Sequence, residues 1–284
     1  VICHEFLVLP VKLQYLLSGP LRLPVGAESN VLRGAFGKAL RQVSRPAYDR
    51  IFEPVWLDGP SGYRNPPRPF VLRVPDQPGL AAGGVFRADL HLFDSQQPPW
   101  LELRQAFEAI GEAGLGPARV RARLQSFPLG EAVSVLRFPV EGASGSGRLR
   151  VRFASPTELK GEGEIQAVPD FATLAHRLAE RVWALGCCYQ GWSADWDYRE
   201  LLDLGREMRL TGWEWARTEA SRRSGSTGQT HSIGGFVGWA EYEGPVRAFV
   251  PLLEIGRWKG VGRQTVWGKG AIAVEDVRIG SGRA

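Results

Sequence analysis

The segment Glu141-Gly-Ala-Ser-Gly-Ser-Gly147 constrains the fold of this 284-residue chain more than any other. It offers no large apolar side chain to a core, so it reads as a linker. On either side of it the same order of elements recurs. Before it come a strand over Phe6–Leu16, a helix over Val31–Val43 capped by Ser29-Asn30, and a short strand over Pro69–Val74. An alternating strand over Val85–Phe93, a helix over Trp100–Ala113 and extended stretches at 118–127 and 132–140 follow. After the linker, Arg148–Phe153 alternates as a strand with one basic face, and Phe171–Leu185 has a helical period. A polar, aromatic-rich stretch leads to strands over Glu207–Arg217 and Ile233–Glu243, a short helix over Val246–Ile255 and a closing strand over Ala271–Val277. Each half approximates strand-helix-strand-strand-helix-strand, the split βαβ order. The expectation is an α+β chain of two tandem ferredoxin-like (RRM-like, βαββαβ) domains, 1–141 and 147–284.

Charge narrows the partner. The net charge is only +5, yet blocks 1–75, 117–152 and 204–284 carry +5, +5 and +4, while 76–116 and 153–203 carry −4 and −5. Thirty of the 35 basic residues are Arg, whose planar fork matches phosphate. A GC-rich genome would also favour Arg codons. Three basic blocks on one face would suit a polyanion better than the total implies. No run of eighteen apolar residues exists, so no membrane partner is expected. Cys3, Cys187 and Cys188 have no CxxC spacing, so neither a disulfide framework nor a zinc site is indicated, and cytoplasmic residence is expected.

On the first helix, Leu32, Ala35, Phe36, Ala39, Leu40 and Val43 share one face, and Arg33, Lys38, Arg41 and Arg45 the other. That basic face could be solvated or could contact RNA; its density of arginine favours RNA. At the other end, residues 225–270 hold eleven glycines, the densest run being Gly256-Arg-Trp-Lys-Gly-Val-Gly-Arg-Gln-Thr-Val-Trp-Gly-Lys-Gly270. Two readings are open. Gly260, Gly262, Gly268 and Gly270 could let backbone N–H groups approach a phosphate chain charged by Lys259, Arg263 and Lys269, or they could serve packing between the sheets. The spacing fits neither a Walker loop nor a Rossmann fingerprint.

The order of these motifs carries a resemblance. Arg222-Arg-Ser-Gly-Ser, Ser232-Ile-Gly-Gly-Phe-Val-Gly238 and the terminal glycine-rich run succeed one another in the second half. In the first half stand Leu32-Arg-Gly-Ala-Phe-Gly37, Ile51-Phe-Glu-Pro54, Pro67-Arg-Pro-Phe-Val-Leu72, and Gly114-Leu-Gly116 ahead of Arg119, Arg121 and Arg123. Across 29–277 this resembles the CRISPR-associated repeat-processing endoribonucleases of the RAMP superfamily. The resemblance implies a protein that binds the CRISPR repeat hairpin and cuts precursor crRNA without a metal or other cofactor. Cutting would proceed by attack of the ribose 2′-hydroxyl, and the protein would stay on the mature crRNA beside other subunits of an effector complex. It places RNA on Arg33, Arg45, Arg119, Arg121, Arg123, Arg222, Arg223 and the glycine-rich run.

The chain departs from the family at the general base, because residues 29–50 contain no histidine. His231, between Arg222-Arg223 and the Gly-Gly strand, reads as lying in a loop, either solvated or reaching an RNA backbone. His91 shares a strand face with Asp89, as an acid–base pair or a surface polar pair, while His4 and His176 read as structural. Tyr48 could donate a proton or simply pack. Lys38 and Arg41 could clamp the scissile phosphate in a slow, histidine-free site. The catalytic candidates are therefore His231, Lys38, Arg41 and Tyr48. Asp195-Trp-Asp197 is the one close carboxylate pair with an obvious exposed setting, and no metal is expected there. Of the tryptophans, Trp258 and Trp267 are the candidates for stacking on bases. The competing readings are a non-catalytic crRNA-binding RAMP subunit and a protein-interaction module.

Overall fold

The computed structural model describes residues 4–55, 66–77, 79–128, 132–138, 146–161, 164–165, 170–193, 198–218, 221–223, 230–232 and 234–279. Strand β1 (His4–Leu17) alternates in burial, and its two faces serve different cores. Val11, Leu13, Tyr15 and Leu17 point to helices α1 (Glu28–Val43) and α3 (Trp100–Ala113), whereas Phe6 and Val8 join the core of the second half. The first sheet runs β2 (Phe70–Arg73), β3 (Val85–Leu92), β1, β4 (Ala122–Ser126), and every pairing is antiparallel. β5 (Val133–Phe138) pairs with the N-terminal end of β1 along the edge that β4 occupies further on.

The second half repeats this order. β6 (Gly147–Thr157) is followed by a two-residue ribbon, β7 (Lys160–Gly161) and β8 (Glu164–Ile165), and by α4 (Phe171–Tyr189). After α5 (Arg199–Glu207) come β9 (Arg209–Thr218), the short pair β10 (Ser221–Arg223) and β11 (Thr230–Ser232), and β12 (Gly235–Gly244). Helix α6 (Val250–Lys259) and β13 (Ile272–Ile279) close the chain, and the sheet order is β13-β6-β12-β9. Both sheets thus have the ferredoxin-like strand order, with helices on one face. The expected fold class is the observed one.

Two short helices were not legible. α2 (Arg45–Phe52) has only Ala47, Ile51 and Phe52 buried, and starts on Pro46 with Ser44 capping the Ala47 N–H at 3.3 Å. α5 is amphipathic, with Leu201 and Leu204 packed on the second core, but its nine residues make a short segment that the polar, aromatic-rich reading of this stretch missed. Ser29 is not a cap: α1 starts at Glu28 after Ala27, and the Ser29 Oγ accepts the Val74 N–H at 3.1 Å, tying the helix to the end of β2. Most of the expected linker, 141–145, lies outside the described residues, and Gly147 already belongs to β6.

The two halves are joined by polar stitches as well as shared core. Gln190, which caps α4, behaves as a strand neighbour: its Oε1 accepts the Leu7 N–H at 2.9 Å. Its Nε2 donates to the carbonyls of Leu7 at 2.8 Å and Phe93 at 3.0 Å. Trp192 donates to the Glu5 carbonyl and lies flat over Gly186, where a Cβ would overlap the indole. Arg50 pairs with the fully buried Asp94, one bond measuring 2.9 Å. Among the described residues no helix is long and apolar enough to cross a membrane. Gln190→Leu strands three backbone groups between the halves, so it should cost about 3 kcal/mol, read as a lower urea midpoint.

Candidate nucleic-acid interface

α1 and α2 meet at a short angle that stacks Tyr48 on Phe52, with ring centroids 5.2 Å apart and planes at 4°. Cations ring this stack. The Arg41 and Arg45 guanidinium groups sit 5.6 and 5.5 Å from the Tyr48 ring centroid, and that of Arg33 sits 5.2 Å from Phe52. Arg33 also lies 5.9 Å from the ring of Trp267, which comes from the glycine-rich run. The first helix and the last loop, 230 residues apart in sequence, therefore share one surface.

The cations differ in how far they are neutralised. Arg45 is held by Asp49 at 2.8 Å and by Glu53 at 3.4 Å. Lys38 and Arg41 are exposed, and among the described residues neither is held by a carboxylate. Tyr48 donates to Glu53 Oε1 at 3.0 Å, and burial together with that carboxylate raises its pKa, so the phenol stays protonated. Arg41 thus stands beside a fixed phenolic proton, and Lys38 is exposed on the same helix. That arrangement can hold a phosphate and supply a hydrogen-bond donor to it.

In the glycine-rich run, the structure favours the packing reading for most residues. Lys259 is fully buried, its ammonium donates to the Gly260 carbonyl at 3.2 Å, and burial pushes its pKa well down. Lys269 is buried against Glu158 at 3.1 Å and also bonds Gln264. Neither ammonium faces solvent, which corrects the expectation that both charge an exposed loop. Gly260, Gly262, Gly268 and Gly270 all have φ between 70 and 89°. A Cβ at Gly262 or Gly270 would overlap the carbonyl of Glu158 or Val261, and one at Gly268 would meet the Ser29 side chain at 2.6 Å. These glycines let the loop fold on itself and press Val266 and Trp267 into the first domain's core. Trp258 and Trp267 are joint residues, packed on His91 and on Arg33, instead of free stacking platforms. Of the run's four cations Arg257 and Arg263 are exposed, and Arg257 is held by Glu254 at 2.9 Å.

The remaining candidates scatter. Arg119, Arg121 and Arg123 are exposed around the ends of β1 and α3, where the Arg121 carbonyl accepts from Ser18. Arg222 and His231 are register partners in the β10–β11 ribbon, so His231 lies on a strand and not in the loop expected for it; the side chains of Arg222, Arg223 and His231 lie outside the described residues, as does Asp195-Trp-Asp197. The basic face of β6 is neutralised: Arg148 and Arg150 reach Glu241 at 3.4 and 3.3 Å, and Arg152 reaches Glu275 at 3.8 Å. His91 shares its strand face with Asp89 as expected, but its Nδ1 lies 3.0 Å from the Trp258 carbonyl and its ring packs edge-on to that indole. It is a joint residue and not half of an acid–base pair. His176 is exposed on α4. Among the described residues no three His, Cys, Asp or Glu side chains converge as metal ligands. Glu53 was missed, although its place one turn after Asp49 would have signalled it had α2 been read.

Two ferredoxin-like units in tandem, with a terminal glycine-rich loop docked on the first helix, define a RAMP-type architecture. Residues 151–272 match the family model of the CRISPR-associated endoribonuclease Cas6, and 6–133 match a model described as an N-terminal domain. A Cas6 product complex superposes with a TM-score of 0.63 at 19% identity, covering 94% of this chain and 99% of that one. Thermus thermophilus Cas6 superposes at 0.58 and 17% identity over 95% and 99%. A partial Cas6-RT-Cas1–Cas2 complex gives 0.60 at 11% identity over the whole chain and 48% of the other. No curated protein sequence matches the chain. The second half of the chain thus matches the family of CRISPR-associated Cas6 endoribonucleases, and the chain as a whole has the fold of the Cas6 structures.

Burial drives the His91 pKa down to about 4, against the pull of its bond to Trp258 and with the nearby Arg73 charge helping. The unfolded chain therefore takes up a proton between pH 6.5 and 4 that the folded chain does not. Stability from this residue is complete above pH 6.5 and is lost as pH falls toward 4, by up to about 3 kcal/mol. Urea midpoints measured across pH 4–7 should show a slope that His91→Gln flattens.

Proposed function

We propose that this chain binds the hairpin of a CRISPR repeat and cleaves precursor crRNA at one phosphodiester, remaining on the product. The observation that carries this reading is the seating of Arg41 on the protonated Tyr48, beside the point where Arg33 meets the docked glycine-rich loop, with Lys38 exposed on the same helix. It fits the endoribonuclease family that the C-terminal half matches. The 2′-oxygen attacks phosphorus, the P–O5′ bond breaks, and a 2′,3′-cyclic phosphate and a 5′-hydroxyl form. Lys38 and Arg41 hold the phosphate and offset the charge of the phosphorane. Tyr48 gives its proton to the leaving O5′ and regains one from water. His231 is the candidate that takes the 2′-hydroxyl proton from the β10–β11 ribbon. Arg33, Arg263 and the arginines at 119–123 and 222–223 hold flanking RNA. No step requires a metal in this scheme. The domains are divided at 1–141 and 147–284, and other subunits of an effector complex are the expected protein partners.

A second reading follows from the absence of any histidine over 29–50: a crRNA-binding subunit that does not cut. Incubating the neighbouring repeat transcript with the protein in EDTA separates the two. Under the first reading one site is cut and a cyclic phosphate is left. Tight binding with intact RNA supports the second. If cleavage occurs, Lys38→Ala should slow single-turnover cutting about 100-fold and Tyr48→Phe about 10- to 100-fold. A Tyr48→Phe rate equal to wild type would remove the phenol from the mechanism, and full activity of His231→Ala would remove that base.

A further inference from the structure

A second cationic site, sharing no residue with the α1–α2 cluster, lies where the two halves meet. A pocket of about 290 Å³ is lined by Pro67 from the first half and by Lys160, Arg177, Glu180, Arg181, Gly262 and Arg263 from the second. Among the described residues four cations and one carboxylate line it. Arg177 and Arg181 stand at i and i+4 on α4, side by side on one face. The geometry of Arg177 is set: its Nε donates to the Lys160 carbonyl at 2.7 Å and its Nη1 reaches Glu180 at 2.8 Å. Gly262 and Arg263 are positioned by the loop's anchoring, the Arg263 N–H bonding the Glu158 carbonyl at 3.1 Å. Behind the lining lies the fully buried Lys259, which feels the charges of Arg181 and Glu180 and makes a single hydrogen bond to the Gly260 carbonyl. An anion entering the pocket would favour the charged form of that amine and add to the attraction.

We propose that this pocket grips a backbone phosphate of the bound RNA, as an anchor separate from the scissile phosphate. Guanidinium forks fixed by carbonyl and carboxylate partners suit the oxygens of a phosphodiester, and the pocket has room for one nucleotide's phosphate and sugar edge. The pocket draws on both halves, so RNA seated there also braces the joint. The inference rests on the RNA-binding reading above.

The test is binding of the repeat transcript in EDTA by wild type and by the double variant Lys160→Ala/Arg263→Ala, both exposed positions. The variant should bind about 10- to 100-fold more weakly. The slope of log affinity against log salt should fall by about 1.5 to 2, as expected for two lost phosphate contacts. A scan of single 2′-deoxy methylphosphonate linkages should find one position that weakens wild type and adds no further loss in the variant, which a merely structural role would not produce. Unchanged affinity and slope in the variant would overturn the pocket while leaving the RNA-binding reading intact. Failure of wild type to bind the transcript would overturn both, and is seen before any variant is made.

Discussion

The glycine-rich run exchanges residues between the two cores, and the rest of the molecule depends on that exchange. Val266 enters the first domain's core and Trp267 packs against it, while Phe6, Val8, Val71 and Phe93 of the first half belong to the second core. Neither half is closed without the other. The four left-handed glycines make the insertion possible, because a side chain at Gly262 or Gly270 would strike a carbonyl oxygen and one at Gly268 would strike Ser29. The run's resemblance value and its structural value thus have the same origin. A loop that must pass this close to its own backbone can have only this composition, and its docking sets Trp267 against Arg33.

Electrostatics follow from which arginines find partners. On β6, glutamates on β12 and β13 meet Arg148, Arg150 and Arg152, so a face that is basic along the chain is nearly neutral across the sheet. On α1, the carboxylates of α2 reach Arg45 and stop there. Lys38 and Arg41 are held by no described carboxylate, while at the joint pocket Arg177 is paired with Glu180. Surface pairs of the β6 kind contribute little stability, about 0 to 1 kcal/mol each, but they decide where a polyanion is attracted.

What could be read in the sequence was local. The strand and helix order on each side of the linker came from periodicity, and Trp100–Ala113 was legible to the residue. Periodicity needs several turns to stand out, so α2 and α5, of 8 and 9 residues, escaped notice although each has an apolar face. The site was half legible for the same reason. Lys38 and Arg41 lie on the polar face of an amphipathic helix, and the helix defines that face. Lys259 and Lys269 are buried by contacts with Glu158 and the α4 region, more than 75 residues away in sequence, which composition does not encode. His91 met Trp258 by the same kind of long-range packing.

The chemistry open to a site of this kind is limited by its acids and bases. An arginine cannot take the 2′-hydroxyl proton near neutral pH, and a buried histidine held near pKa 4 at the joint is placed for packing and not for catalysis. Tyr48, with its pKa raised by burial and by Glu53, is a weak acid but a well-aimed one. A weak, fixed donor beside an arginine that no described carboxylate holds can stabilise a phosphorane by geometry and charge while leaving proton transfer slow. Slow chemistry is compatible with a protein that keeps what it makes, since retention removes any demand for turnover. Under the proposed function the joint pocket fits that economy: with a second anchor on the strand, the rate of cutting and the grip on the product would be set by different residues.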